Sequence, residues 1–215
     1  MRLRKLKNAS QVLHSRLDIF VPEPMLNKGK WSKVFANNNP IHLEIGMGKG
    51  KFIIEHAQKH PDINYIGLEI EQSVIAKAVR KIENNIPNLY LINYDANFIK
   101  EVFDENEIDK IFLNFSDPWP KNRHAKRRLT EKTFLDNYAS ILKDQGTIEF
   151  KTDNRKLFEF SLLEFVARKW DIVNMSLNLH EDGEDIITTE YEDKFINAGQ
   201  IIYFIEVKNG KNETL

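Results

Sequence analysis

The chain has 215 residues, 31 Lys and Arg against 32 Asp and Glu, and a formal net charge of −1; that length suits one domain, or one domain with short appendages, able to bury a sizeable core. With 41% hydrophobic and 29% charged residues the chain as a whole is not disordered, and zero Cys excludes disulfides, zinc fingers, iron–sulfur clusters and thiol nucleophiles. No apolar run approaches the roughly 20 residues of a membrane span and no secretory apolar region follows the first Met, so the expectation is a soluble, cytoplasmic protein.

Taken as an average, the near-zero charge counts weakly against a nucleic-acid partner, but the charges are segregated. Residues 1–7 hold Arg2, Arg4, Lys5 and Lys7 with no acid, and residues 121–128 hold five cations with none. Residues 101–109 carry five acids and no base, and residues 180–194 carry seven acids and one Lys. The six His are scattered, so any metal site would be built from carboxylates, and no metal is assigned.

Residues 1–40 read as a basic arm and an irregular extension, because Pro22, Pro24, Pro40 and the run Asn37-Asn38-Asn39 favour extended chain and loop. A strand–helix rhythm fills residues 41–215, the expected catalytic domain. Strands are expected at 41–45, 64–70, 89–94, 110–115 and 147–151, alternating with helices at 51–60, 73–85, 97–103, 131–142 and 156–169. Buried apolar strands alternating with helices imply parallel βαβ units and a doubly wound, Rossmann-like α/β sheet. Segments 172–179 and 200–207 lack an intervening helix in this reading, so they are expected to form a hairpin that adds a C-terminal antiparallel strand.

Glu44-Ile45-Gly46-Met47-Gly48-Lys49-Gly50 joins the first of these strands to its helix, and its glycines permit positive φ and close approach of a ligand to the backbone. Glu69 ends the next strand, where a carboxylate accepts hydrogen bonds from ribose hydroxyls, and Asp95 ends the third. Ligands of such sheets sit outside the carboxyl ends of the strands, so Glu44, Glu69 and Asp95 are expected to share one crevice. The acid ahead of the first Gly, with no place for a pyrophosphate, favours S-adenosylmethionine over a dinucleotide. Glu44 then suits the ammonium end of the cofactor and Asp95 the adenine amino group, although each also fits a helix-capping carboxylate.

The fourth strand leaves the sheet at Asn114-Phe115-Ser116-Asp117-Pro118-Trp119-Pro120, a stiff loop that puts a carboxylate beside the crevice. Lys121, Arg123, His124, Lys126, Arg127 and Arg128 follow directly, and such a run beside a methyl-transfer crevice suits a phosphate backbone.

At this point the sequence resembles the tRNA (guanine-N7-)-methyltransferases, the TrmB family. Residues 113–129 (LNFSDPWPKNRHAKRRL) look like its signature, and 1–5, 43–50, 65–70, 150–154 (FKTDN) and 189–195 (TEYEDKF) match in collinear order over essentially the whole chain. The resemblance implies a class I S-adenosylmethionine-dependent methyltransferase acting on N7 of a guanine in the variable loop of tRNA (position 46), as monomer or homodimer. Carried over by position, Glu44, Gly46, Gly48, Glu69, Asp95 and Asp117 resemble cofactor-contacting residues, and Asp117 also corresponds to the family's catalytic position. Lys121, Asp153, Thr189, Glu190, Tyr191 and Glu192 match substrate-contacting positions, and residues 123–128 match the RNA-contacting segment. Asn97 stands where some members carry an acid and is given no role. Three other readings are weighed: a methyltransferase for exocyclic base amines, suggested by Ser-Asp-Pro-Trp; a nucleotide-dependent oxidoreductase; and a non-catalytic RNA-binding module.

Overall fold

Runs such as Ile41–Ile45 and Asn64–Glu69, buried on both faces, have no wet side to offer and therefore pair as parallel strands inside a sheet covered by helices. The computed structural model describes residues 6–182, 186–196 and 198–209. Its strands are β1 (Phe20–Val21), β2 (Ile41–Ile45), β3 (Asn64–Glu69), β4 (Leu89–Asn93), β5 (Ile108–Asn114), β6 (Leu142–Thr152), β7 (Asp171–Ser176) and β8 (Tyr203–Lys208). They form one sheet in the order β1-β4-β3-β2-β5-β6-β8-β7, parallel as far as β6, with β8 antiparallel to both its neighbours.

Helices α1 (Ala9–His14), α2 (Trp31–Phe35), α3 (Lys51–Lys59), α4 (Gln72–Val79), α5 (Lys132–Ile141) and α6 (Arg155–Ala167) cover the sheet. One apolar cluster joins α2, α5 and α6 to residues such as Leu43, Ile66, Leu113 and Phe150. A second joins α1, α3 and α4 to Tyr65, Leu91 and Phe112. After β2 the chain builds outward through β3 and β4, then returns to lay β5 on the other side of β2. That reversal opens a crevice at the carboxyl ends of β2 and β5, where ligands of such sheets bind. Among the described residues no helix is long and apolar enough to cross a membrane.

Three expectations are corrected. The stretch before residue 41 is not simply extended chain and loop. Trp31 is fully buried, its indole N–H donates to the Val102 carbonyl at 3.0 Å, α1 packs on α4, and β1 extends the sheet beside β4. The prolines and asparagines punctuate this stretch without preventing its apolar residues from docking. The expected hairpin of the last two strands is interrupted by α7 (Leu179–Asp182) and α8 (Glu190–Ile196), and β8 inserts between β6 and β7. The helix expected at 73–85 stops at Val79, because Lys81 and Ile82 N–H bond back to Ala78 and Val79 in tight turns. The basic residues Arg2, Arg4 and Lys5 lie outside the described residues.

Gly67 in the middle of β3 shows why the glycine turn sits where it does. A Cβ there would lie 2.4 Å from Met47 Sδ and 2.9 Å from Leu91 Cδ2, so the missing side chain makes room for Met47 to anchor the turn. Gly67→Ala is expected to cost about 1–3 kcal/mol through overpacking, read as a lowered midpoint in thermal or urea unfolding. An unchanged midpoint would mean that Met47 repacks freely.

Candidate active site

A cavity of about 730 Å³ lies at the carboxyl ends of the strands, bordered by Gly46, Gly48, Glu69, Asp95, Asp117 and Trp119. A smaller one, about 270 Å³, adjoins it and is bordered by Glu44, Lys49, Asn114, Glu190, Tyr191 and Lys194. The two share Gly46, Gly48, Val74, Asn114 and Phe115. Glu69, Asp95 and Asp117 therefore meet in one crevice, whereas Glu44, expected there with them, opens on its smaller annex.

The glycine turn forms the common wall. Gly46 and Gly48 have φ of 77° and 57°, and a Cβ on either would meet nothing within 4 Å. Their requirement is thus conformational, and the space beside them is open to a ligand. Gly46 and Met47 N–H both donate to the Leu68 carbonyl, at 2.8 and 3.1 Å, which fixes the turn on β3.

The acids differ in how far the protein has already engaged them. Glu44 is 1% exposed, and its Oε1 accepts from Asn114 Nδ2 at 2.9 Å across two adjacent parallel strands. Its Oε2, together with Asn114 Oδ1 and Ser116 Oγ, is buried without a hydrogen-bond partner. Burial pushes the Glu44 carboxyl up to about 7, against the Asn114 hydrogen bond and the charge of Lys151, which both pull it down. Glu69 accepts from Gly48 N–H at 3.2 Å and Glu71 N–H at 3.0 Å. Burial raises its pKa and those donors oppose the rise. Asp95 accepts from the backbone N–H of Asn97 at 2.9 Å and from its amide at 2.7 Å, so it caps the following 3-10 turn while still lining the crevice.

Asp117 is different: it is exposed, and among the described residues no group holds its carboxylate. Its loop is rigid nonetheless. Phe115 and Trp119 stand in the left-handed region, φ 50° and 40°, a conformation costing bulky residues of order 1–3 kcal/mol each and kept only where the surroundings dictate it. Arg128 supplies that constraint. Its guanidinium donates to the Pro118 and Trp119 carbonyls, both at 3.0 Å, and lies 4.4 Å from the centre of the Phe160 ring. Arg128, expected among the RNA contacts, thus braces the loop. Arg127 stacks on Trp119 at 4.7 Å, and with Lys126 it borders the larger cavity. His124 meets the same indole edge-on, and Lys121 and Arg123 are exposed beyond the rim.

Of the acidic segment, Glu190 and Tyr191 border the smaller cavity, and Tyr191 stands 5.2 Å from the Phe115 ring and donates to Asp153 at 3.3 Å. Thr189 borders it as well. Glu192, expected with them among the substrate contacts, does not border it and is fully buried against Lys151. Of the acidic loop before it, residues 183–185 lie outside the described residues. His42 and His56, pushed down by burial to about 4 and about 3, pack around Phe112 away from both cavities. Asn114, Ser116 and Lys151 were given no role from sequence. The only signal was that each is polar at the end of an apolar strand.

S-adenosylmethionine fits these groups. The orphaned, buried Glu44 Oε2 suits an ammonium, the Glu69 carboxylate retains lone pairs for hydroxyls, and open glycine backbone separates the two. Residues 38–205 match a family model described as "Putative methyltransferase". The chain is 48% identical to the tRNA (guanine-N(7)-)-methyltransferase of Streptococcus suis (strain 05ZYH33), over 97% of this chain and 99% of that one. It is 48% identical to the protein so named in Brevibacillus brevis, over 96% and 97%. Among solved structures it resembles the 16S rRNA methyltransferase KamB, with TM-score 0.64 and 11% identity over 84% of this chain and 92% of that one. It also resembles a 16S rRNA (adenine(1408)-N(1))-methyltransferase of Catenulisporales acidiphilia with S-adenosylmethionine, with TM-score 0.61 and 14% identity over 86% and 93%. At such identities these two likenesses show the fold, an α/β methyltransferase.

Proposed function

The chain belongs to the tRNA (guanine-N7-)-methyltransferase family, and from that premise we propose that it methylates N7 of a guanine in the tRNA variable loop, using S-adenosylmethionine, in the cytoplasm. The observation that carries the reading is Asp117, an uncommitted carboxylate on a strained loop, bordering a cofactor-sized cavity together with two cations, Lys126 and Arg127.

S-adenosylmethionine, when bound, supplies a methyl group on a sulfonium. Glu44 would hold its ammonium, Glu69 its ribose and Asp95 its adenine. Guanine N7 carries an in-plane lone pair and no proton, so the reaction needs no general base, and alignment supplies most of the catalysis. Asp117 would accept from N1–H and N2–H on the guanine Watson–Crick edge, with Asp153 and Glu190 nearby, and so turn N7 toward the methyl group. The carboxylates also stabilise the positive charge that develops on the base.

The test is incubation of the protein with labelled S-adenosylmethionine and unmodified tRNA, then digestion and identification of the modified base and its position. N7-methylguanosine in the variable loop is expected. A methylated amine would favour the exocyclic-amine reading that the Ser-Asp-Pro-Trp loop suggests, and no transfer would reject both.

Four cations at the rim, Lys121, Arg123, Lys126 and Arg127, predict that tRNA affinity falls about 100-fold between about 50 and 200 mM monovalent salt. Arg127→Ala should reduce that salt slope by about one. Arg128→Ala should leave the slope unchanged and lower kcat, because it frees two loop carbonyls and not a phosphate. Filter binding across a salt series separates the two; equal changes of slope would return Arg128 to the RNA interface.

A further inference from the structure

The segment Thr189-Glu190-Tyr191-Glu192 contains a pair of reciprocal hydrogen bonds. Glu192 N–H donates to Thr189 Oγ1 at 3.0 Å, and Thr189 N–H donates to Glu192 Oε2 at 3.2 Å. That is a capping box, Thr-x-x-Glu, which starts α8. The same Glu192 oxygen accepts from Lys151 Nζ at 2.9 Å, and the two side chains are 0% and 3% exposed. Lys151 comes from β6 and is further held by the Ile187 carbonyl at 3.3 Å and the Phe52 ring, 4.9 Å from its centre. His180 Nε2 stands 3.0 Å from the other Glu192 oxygen, off the hydrogen-bond direction.

A buried ion pair rarely stabilises a fold more than an apolar pair of the same size, whereas removing one partner is severe. Its value here is positional. The other ion pairs of this segment, Asp193 with Lys51 and Glu190 with Lys81, are solvent-accessible and hold little by themselves. Among the described residues the buried ion pair that joins it to the sheet is that of Lys151, beside the apolar contact of Ile187 with the core. Of the two residues between the box partners, Tyr191 is 44% exposed and faces Phe115 and Asp153, on the loops that leave β5 and β6.

We propose that Lys151 is a positioning residue: through Glu192 it pins the first turn of α8, so that Glu190 and Tyr191 wall the smaller cavity, which adjoins through Asn114 and Phe115 the crevice where Asp117 would meet the methyl acceptor. Thr189 and Glu192 then act by holding that turn, and not by touching tRNA. The proposal rests on the reading of the chain as a tRNA methyltransferase and names the parts that shape its acceptor side.

The test uses the full-length protein with Lys151→Met and Glu192→Gln, singly and together. Met keeps the length of Lys, and Gln keeps the acceptor the capping box needs. Three quantities are read at pH 8: hydrogen exchange of residues 186–196, affinity for S-adenosylmethionine, and kcat with KM for tRNA. Each single change should raise exchange in that segment and raise KM for tRNA about tenfold or more, with cofactor affinity within about fivefold of the parent. The double variant should show a rise in KM no larger than that of either single variant, a coupling that independent contacts do not show. Thr189→Ser should keep the parental KM and Thr189→Val should not.

Additive rises in KM, or unchanged exchange in Lys151→Met, overturn the proposal, since Glu192 would then act on the RNA directly. If a single variant does not fold, the neutral double variant decides: raised exchange together with a raised KM supports the pinning, and a near-parental KM, or a raised KM with parental exchange, overturns it. Should the parent protein make no N7-methylguanosine, the functional reading fails, while the exchange data still report on Lys151.

Discussion

Asp117→Ala is expected to lower kcat about 10²–10³-fold while shifting affinity for S-adenosylmethionine by less than about threefold. The expectation follows from contrast with the other acids. Glu69 and Asp95 are engaged by backbone N–H groups, and Glu44 is engaged by Asn114, so the fold itself uses them. The Asp117 carboxylate is exposed on a loop whose shape is imposed from outside, by the left-handed Phe115 and Trp119 and by Arg128 beneath. Its removal leaves fold and cofactor cavity intact and takes away only the group that orients the base. Single-turnover rates and titration calorimetry measure the two effects separately. Equal losses in both would make Asp117 a cofactor ligand and end its orienting role.

Glu44→Ala is expected to weaken S-adenosylmethionine binding by roughly 30- to 1,000-fold at pH 8, the scale of leaving one member of a buried charge pair unmatched. The pH dependence carries a sign. Because burial holds the Glu44 carboxyl near 7 in the free protein, it is largely protonated at pH 6, and capture of an ammonium must expel that proton. Cofactor affinity should therefore drop as pH falls below about 7, with proton release on binding visible as a dependence of calorimetric heat on buffer. In the free protein the folded pKa lies above the unfolded one. Glu44 then costs no stability below about 4.5, and the chain loses stability as pH rises from there through about 7. Glu44→Gln should remove both dependences. A flat affinity profile in the parent would exclude Glu44 from the ammonium end.

How much of this was legible in the sequence follows from what kind of information each feature needs. Glu44, Glu69 and Asp95 declare themselves because each ends an apolar run, and parallel strands bring such ends to one edge whatever their order. Their division between two cavities was not legible, since it depends on Asn114 reaching across from β5, a matter of register. Arg128 cannot be told from Arg127 by composition; only the direction in which each leaves the 3-10 turn separates the loop brace from the cation beside Trp119. Lys151 carried no role and Glu192 matched a substrate contact, because their burial is created by segments 41 residues apart meeting across the sheet end. The early helices were hidden for the opposite reason, because Pro and Asn signals are local while the docking of Trp31 is not.

The insertion of β8 between β6 and β7 has a consequence for how the molecule comes into being. During synthesis β6 is complete long before its partner exists, so it waits as an open sheet edge until the last strand pairs with it. That pairing has high sequence separation and is slow to form. It also delivers the segment just ahead of β8, α8 included, to Lys151. A partly made chain can thus gather the glycine turn and its three acids, yet it lacks the wall facing them. The wall that α8 gives the smaller cavity is completed only once β8, the last strand among the described residues, has paired.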